Sequence, residues 1–142
     1  MSHPGLPFVP PAPADDPLGG SFGVGAGDVV AFHRIHGCDE TWTLVAGGSI
    51  ELHLIHPDGR YENRLLALGP APAGGSAGAA AATTIEAGSL RAARLAPGAS
   101  RAALRRAVAS GPWPPGIEIP RAAEILRRHP LHRAIVLELA AG

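Results

Sequence analysis

The sequence predicts one all-β domain, a barrel or sandwich of short strands finished by a short C-terminal helix, and three observations predict it. β-favouring runs recur at short intervals from Phe22 onward. Tight-turn signals separate them, at Gly47-Gly48, Pro57-Asp58-Gly59-Arg60 and Pro97-Gly98. The best helical pattern is confined to residues 120–128, and the chain of 142 residues suits a single core.

In order along the chain, residues 1–20 carry six prolines, which remove backbone donors and favour an extended or disordered arm; residues 21–142 form the barrel domain. Residues 28–33 read as the first strand, ending at the loop around Gly37-Cys38-Asp39. Residues 40–45 place Glu40, Trp42 and Leu44 on one face, and Gly47-Gly48 then predicts a hairpin into a strand at 50–56. After the Pro57 turn, 61–68 is the returning strand. Residues 69–82, almost wholly Gly, Ala and Pro, read as a mobile surface loop before β structure resumes at 83–86. Residues 90–95 and 101–108 are two further strands, the second with helix as its alternative because of its Ala and Arg content. In 120–128, Pro stands at the start, Ala122, Ile125 and Leu126 at helical spacing and two arginines in the last turn, before Pro130 stops the helix. Residues 132–139 are expected as a final edge strand, with a short helix as the alternative.

Composition narrows the function. All twelve basic residues are arginine and they balance twelve acidic ones, so no net field draws the chain to nucleic acid or an anionic membrane. Neither a signal-peptide pattern nor a bilayer-length apolar run is present, so the expected location is cytoplasmic. A lone Cys38 excludes an intrachain disulfide and a multi-cysteine zinc site, and with no cationic partner in view its expected role is structural.

The densest polar cluster lies between Gly27 and Gly47. There, His33 near the end of one strand and Glu40 at the start of the next are expected to converge across the barrel mouth. Such a pair suits proton abstraction and return, and His33 and Glu40 are the candidate catalytic residues. Imidazole and carboxylate also suit a divalent transition metal, for which His33, His36 and Glu40 are the candidate ligands. On strand parity, however, His36 faces away and Ile35 takes the inward place. Trp42 is either a stacking platform for a ligand or core filler. His53, sharing parity with Glu51 and Ile55, is a candidate for the pocket wall, while His56 beside the turn is expected in solvent. The arginines at 101, 105, 106, 121, 127 and 128 form either a phosphate site or a solvated, ion-paired face.

Gly27-Asp28, Phe32-His33-Arg34, Asp39-Glu40-Thr41-Trp42 and Gly47, followed by Leu52-His53-Leu54-Ile55-His56-Pro57-Asp58-Gly59, resemble the signature of a cupin-like family of unknown function found in bacteria, fungi and plants. Pro115-Gly116-Ile117-Glu118-Ile119 is similar to that family's later Pro-Gly-Phe segment. The resemblance implies a cupin (RmlC-like) jelly-roll barrel, similar to sugar-nucleotide epimerases and small-molecule-binding cupins, and often dimeric. Pairing of exposed sheet edges makes a homodimer the expected partner state. It also implies that the interior takes a small polar, sugar-like or nucleotide-like ligand, with Arg34, Trp42 and His53 among the binding candidates. The second cupin motif normally supplies another histidine, and the matching segment Glu86-Ala87-Gly88-Ser89-Leu90-Arg91 has none. A sensor or structural barrel with a degenerate site is the competing expectation.

Overall fold

Alternating burial fixes the strands, because each turns every second side chain toward the opposite sheet. The computed structural model describes residues 7–14, 20–69 and 79–141. Two sheets face each other. The larger has the order β1 (Pro7–Phe8), β3 (Val29–His36), β9 (Leu90–Leu95), β5 (Ile50–Ile55), β6 (Tyr61–Leu66) and β7 (Ala79–Ala80), with β11 (Gly116–Glu118) also paired to β3. The smaller runs β2 (Ser21–Gly25), β10 (Arg101–Ser110), β4 (Asp39–Gly47) and β8 (Ala82–Ile85). Between them lies a core that includes Val30, Trp42, Leu52, Leu54, Ala93 and Leu104. This is the jelly-roll arrangement expected from the sequence.

β10 is a strand rather than the helix its composition allowed: Ala102, Leu104 and Arg106 are buried while Arg101 and Ala103 are exposed. Gly47-Gly48 does not close a hairpin. β4 pairs with β10 and β8, whereas β5 pairs with β6 and β9, so these glycines carry the chain from one sheet to the other. Gly47 has φ +94°, and a Cβ there would lie 2.4 Å from the Arg101 carbonyl oxygen, so the crossing requires glycine.

The larger sheet is covered on both faces. A shift in the β3–β9 register between Val30 and His33 turns both of these residues toward the smaller sheet and sends Phe32 to the outer face. There Phe32, Ile55, Leu90 and Ala92 pack beneath α1 (Ala122–Arg128) and α2 (Arg133–Leu139), which contribute Ile125, Val136 and Leu139. The segment expected as a final edge strand is therefore helical from Arg133. Val136, Leu139 and Ala140 make one buried face, and packing on the sheet outweighs the β-propensity of Ile135 and Val136.

Residues 7–14 of the N-terminal arm are extended and lie on the barrel: β1 pairs in parallel with β3, and Ala14 bridges Ala107. The remainder of the arm before Gly20, and the centre of the segment expected as a mobile loop, residues 70–78, lie outside the described residues. No helix among the described residues is long and apolar enough to cross a membrane.

The outer layer gives a direct test. Leu139→Ala removes a fully buried side chain and is expected to lower unfolding stability by about 2–5 kcal/mol. Urea denaturation measures it; an unchanged midpoint would mean the helices are not part of the folding unit.

Candidate functional site

Four polar side chains share the barrel interior, and each is fully buried: His33 from β3, Glu40 from β4, Arg91 from β9 and Arg106 from β10. Strand register brings them together, since His33 lies opposite Arg91 and Trp42 opposite Arg106. Glu40 is the hub. Arg106 donates to it in two-pronged fashion, Nε to Oε2 at 2.9 Å and Nη2 to Oε1 at 2.8 Å, and Arg91 Nη1 donates to Oε1 at 2.6 Å. Arg91 Nη2 also donates to the carbonyls of Ser89 and Glu86, at 2.9 and 3.2 Å.

His33 Nδ1 lies 2.8 Å from the Ala31 carbonyl, so that nitrogen carries the proton. Nε2 is then free to accept from Arg106 Nη2 at 2.9 Å. Burial, together with the Arg106 charge, pushes the His33 pKa down to about 3, and the ring is neutral at ordinary pH. Burial alone would raise the Glu40 carboxyl, but the charge and hydrogen bonds of Arg106, aided by Arg91, hold it below the usual carboxylate range. Glu40 therefore stands ionised and His33 neutral, with the one ring proton engaged by the Ala31 carbonyl.

Trp42 backs the network. Its ring lies 5.4 Å from the Arg106 guanidinium carbon, stacks on His33 at 6.3 Å and meets Phe22 edge-on at 5.5 Å. The indole N–H sits beside Glu40 and helps hold its carboxyl ionised, yet among the described residues it forms no hydrogen bond of normal geometry. Arg91 Nε is likewise buried without a partner among the described residues. The N-terminal arm reaches this cluster: Arg106 Nη1 approaches the Pro11 carbonyl at 3.4 Å, and the Arg106 backbone bonds to Ala14 and Gly20.

The structure brings His33, Glu40 and Trp42 together and places the other candidates elsewhere. His36 is half-exposed on the outside, 3.6 Å from Glu118. A divalent cation, the candidate cofactor, does not fit these residues, because His33 Nε2 and both Glu40 oxygens already accept from guanidinium groups and His36 points away. Among the described residues no three His, Cys, Asp or Glu side chains converge as ligands. His53 has the parity expected, with Glu51 and Ile55, but that is the outer face; it bonds Tyr61 and Glu51 instead of lining the interior. His56, expected in solvent, is buried with Nδ1 2.8 Å from Glu86 and Nε2 2.7 Å from Glu62. Arg34 also lies on the outer face, held by the Gly88 carbonyl and Glu118. Cys38 is buried against the Pro112 carbonyl.

Sequence reasoning missed Arg91, and it grouped Arg106 with arginines of a phosphate site or a solvated face and did not place it inside the barrel. One signal was available: an inward Glu40 demands cationic partners, and Arg106 follows Ala102 and Leu104 at the two-residue spacing of an inward face.

Comparison with known proteins adds a family and two solved structures of similar fold. Residues 21–111 match the family described as "Cupin superfamily (DUF985)". A crystal structure of a Shewanella oneidensis protein is similar over 93% of this chain and 82% of its own, with a TM-score of 0.71 and 23% identity. A hypothetical protein from Leishmania major is similar over 86% of this chain and 74% of its own, with a TM-score of 0.67 and 21% identity. At these identities the likeness concerns the fold alone. No curated protein matches the chain.

The buried histidine predicts a pH dependence. Its folded pKa lies below its unfolded value, so above pH 6.5 neither state is protonated and the group contributes nothing. As pH falls from 6.5 toward 3, the unfolded chain takes up a proton that the folded one refuses. Stability should then fall by about 1.4 kcal/mol per pH unit from this group, and by less in His33→Gln. Urea unfolding at stepped pH measures the difference; parallel curves for the two proteins would contradict it.

Proposed function

We propose a function from one premise, that this chain belongs to the DUF985 family of the cupin superfamily. Its barrel binds a small polar anion, of the sugar-acid or nucleotide class, at Arg91 and Arg106. The observation that carries this reading is the interior charge: among the described residues, two guanidinium groups face one carboxylate and a neutral histidine, leaving a positive excess in a fully buried place. An uncompensated buried charge is costly, and an anionic group on the ligand offsets it. Arg91 Nε and the Trp42 indole N–H supply donors that lack hydrogen-bond partners among the described residues, and the Trp42 face suits a planar or sugar ring.

His33 and Glu40 serve in this reading as orienting groups. Glu40 fixes both guanidinium planes, and His33 Nε2 holds the free edge of Arg106. Ligand entry requires the arm at 7–14 to lift, since it lies over Arg106. Acid–base catalysis of the isomerase or epimerase type further requires that opening and ligand binding return a proton to one of the two groups.

A structural barrel is the second reading, favoured by the completeness with which Glu40 is satisfied and by its lack of exposure. Trp42 separates the two. In a Trp113→Phe background, where the half-exposed second tryptophan is gone, the Trp42 indole N–H resonance and fluorescence report on the interior. A panel of sugar acids and nucleotides is expected to contain a compound that shifts both signals. At a hundredfold excess over its Kd that compound should stabilise the fold by about 2.7 kcal/mol. His33→Ala is expected to weaken binding roughly tenfold, the worth of about one buried hydrogen bond. An unresponsive Trp42 across the panel would favour the structural barrel.

A further inference from the structure

A second, separate groove runs along the outside of the larger sheet, between β3, β11 and α1. Its two lobes, roughly 180 and 450 Å³, share Arg34, Arg128 and His129. The larger lobe adds His36, Pro57 and Gly88 and has no carboxylate among its lining residues. The smaller has an apolar floor of Leu90 and Ile125, with Glu118 and Glu124 on its walls. The shared cations thus face both lobes, and the carboxylates line only the smaller one.

Arg34 is preorganised there. Its Nε donates to the Gly88 carbonyl at 3.0 Å and its Nη1 to Glu118, and Nη2 has no partner among the described residues. Its side chain is only 15% exposed, so the guanidinium is fixed rather than swinging in solvent. Arg128 is exposed beside it and forms no ion pair among the described residues. The half-buried His129 senses the resulting field: burial, then the charges of His132, Arg34 and Arg128, hold its pKa below the ordinary histidine value.

We propose that this groove binds a phosphate monoester of a hydroxylated small molecule. The phosphate lies in the larger lobe against Arg34 and Arg128, and the hydroxyl groups point to Glu118 and Glu124 over the Leu90–Ile125 floor. A planar guanidinium fixed at two edges matches a phosphate face, and a second, unpaired arginine supplies the remaining charge. Glu118 and Glu124 repel a bare dianion but accept from hydroxyls, so the organic part decides the affinity. The site is independent of the barrel interior, from which Arg34 faces away.

Ribose 5-phosphate, inorganic phosphate and ribose serve as probes, titrated into the full chain and followed by calorimetry and by the His129 and arginine Nε–H resonances. Ribose 5-phosphate is expected to bind most tightly and to shift His129 and Arg34 signals. Arg128→Ser, an exposed change that leaves the core intact, should weaken it by about tenfold, the worth of one charge-assisted hydrogen bond. Glu124→Gln should narrow the gap between ribose 5-phosphate and inorganic phosphate. His33→Gln, in the barrel, should leave this binding unchanged, which separates its failure from failure of the interior site. No saturable shift with any probe, or equal affinity in wild type and Arg128→Ser, would overturn the proposal.

Discussion

A carboxylate inside a closed barrel has to be neutralised, and much of this structure follows from how Glu40 achieves that. Arg106 comes from the neighbouring strand of the same sheet, while Arg91 and His33 come from the sheet opposite. The network therefore joins the two halves of the jelly roll at one point, and apolar packing of Trp42, Leu54, Ala93 and Leu104 does so elsewhere. Breaking a buried pair by removing one partner typically costs about 3–5 kcal/mol, because the other charge stays behind. That asymmetry constrains all four strands to one register.

The two guanidinium groups also decide the chemistry. In the general cupin pattern, histidines and a glutamate gather around a cation; here Arg91 stands in the segment where the further histidine is expected, and cationic side chains approach Glu40 directly. His33 is left as a neutral acceptor at Nε2, its one ring proton held by the Ala31 carbonyl, which suits orientation better than proton transfer. The shift in register ahead of His33 serves both faces of the sheet at once. It keeps Val30 and His33 inside while releasing Phe32 to the helices.

Much of this was legible in the sequence. Turn residues and alternation located β3, β4, β5, β6 and β9, and the order of Phe32, His33, Asp39, Glu40 and Trp42 marked the family. What alternation cannot supply is the identity of a face: His53 has the right parity, yet only the packing of α2 reveals that its side of β5 is the outer one. His56 beside a turn looks solvated until Glu62 and Glu86, distant in sequence, close over it. Helix α1 was legible from the spacing of Ala122, Ile125 and Leu126, but α2 was obscured for the same reason, since Ile135 and Val136 favour strands and tertiary contact alone reverses that preference. Arg91 and Arg106 were hidden because an arginine is ordinarily a surface residue, and only an inward Glu40 makes its burial necessary.

The most direct measurement of the central constraint is a double-mutant cycle between Glu40 and Arg106. Stabilities of Glu40→Leu, Arg106→Met and the double variant are determined by urea unfolding. The network account predicts that each single change costs about 3–5 kcal/mol and that the double variant falls short of their sum by roughly 2 kcal/mol or more. Additive losses, within about 0.5 kcal/mol, would show that the two side chains act independently and that the barrel does not depend on their union.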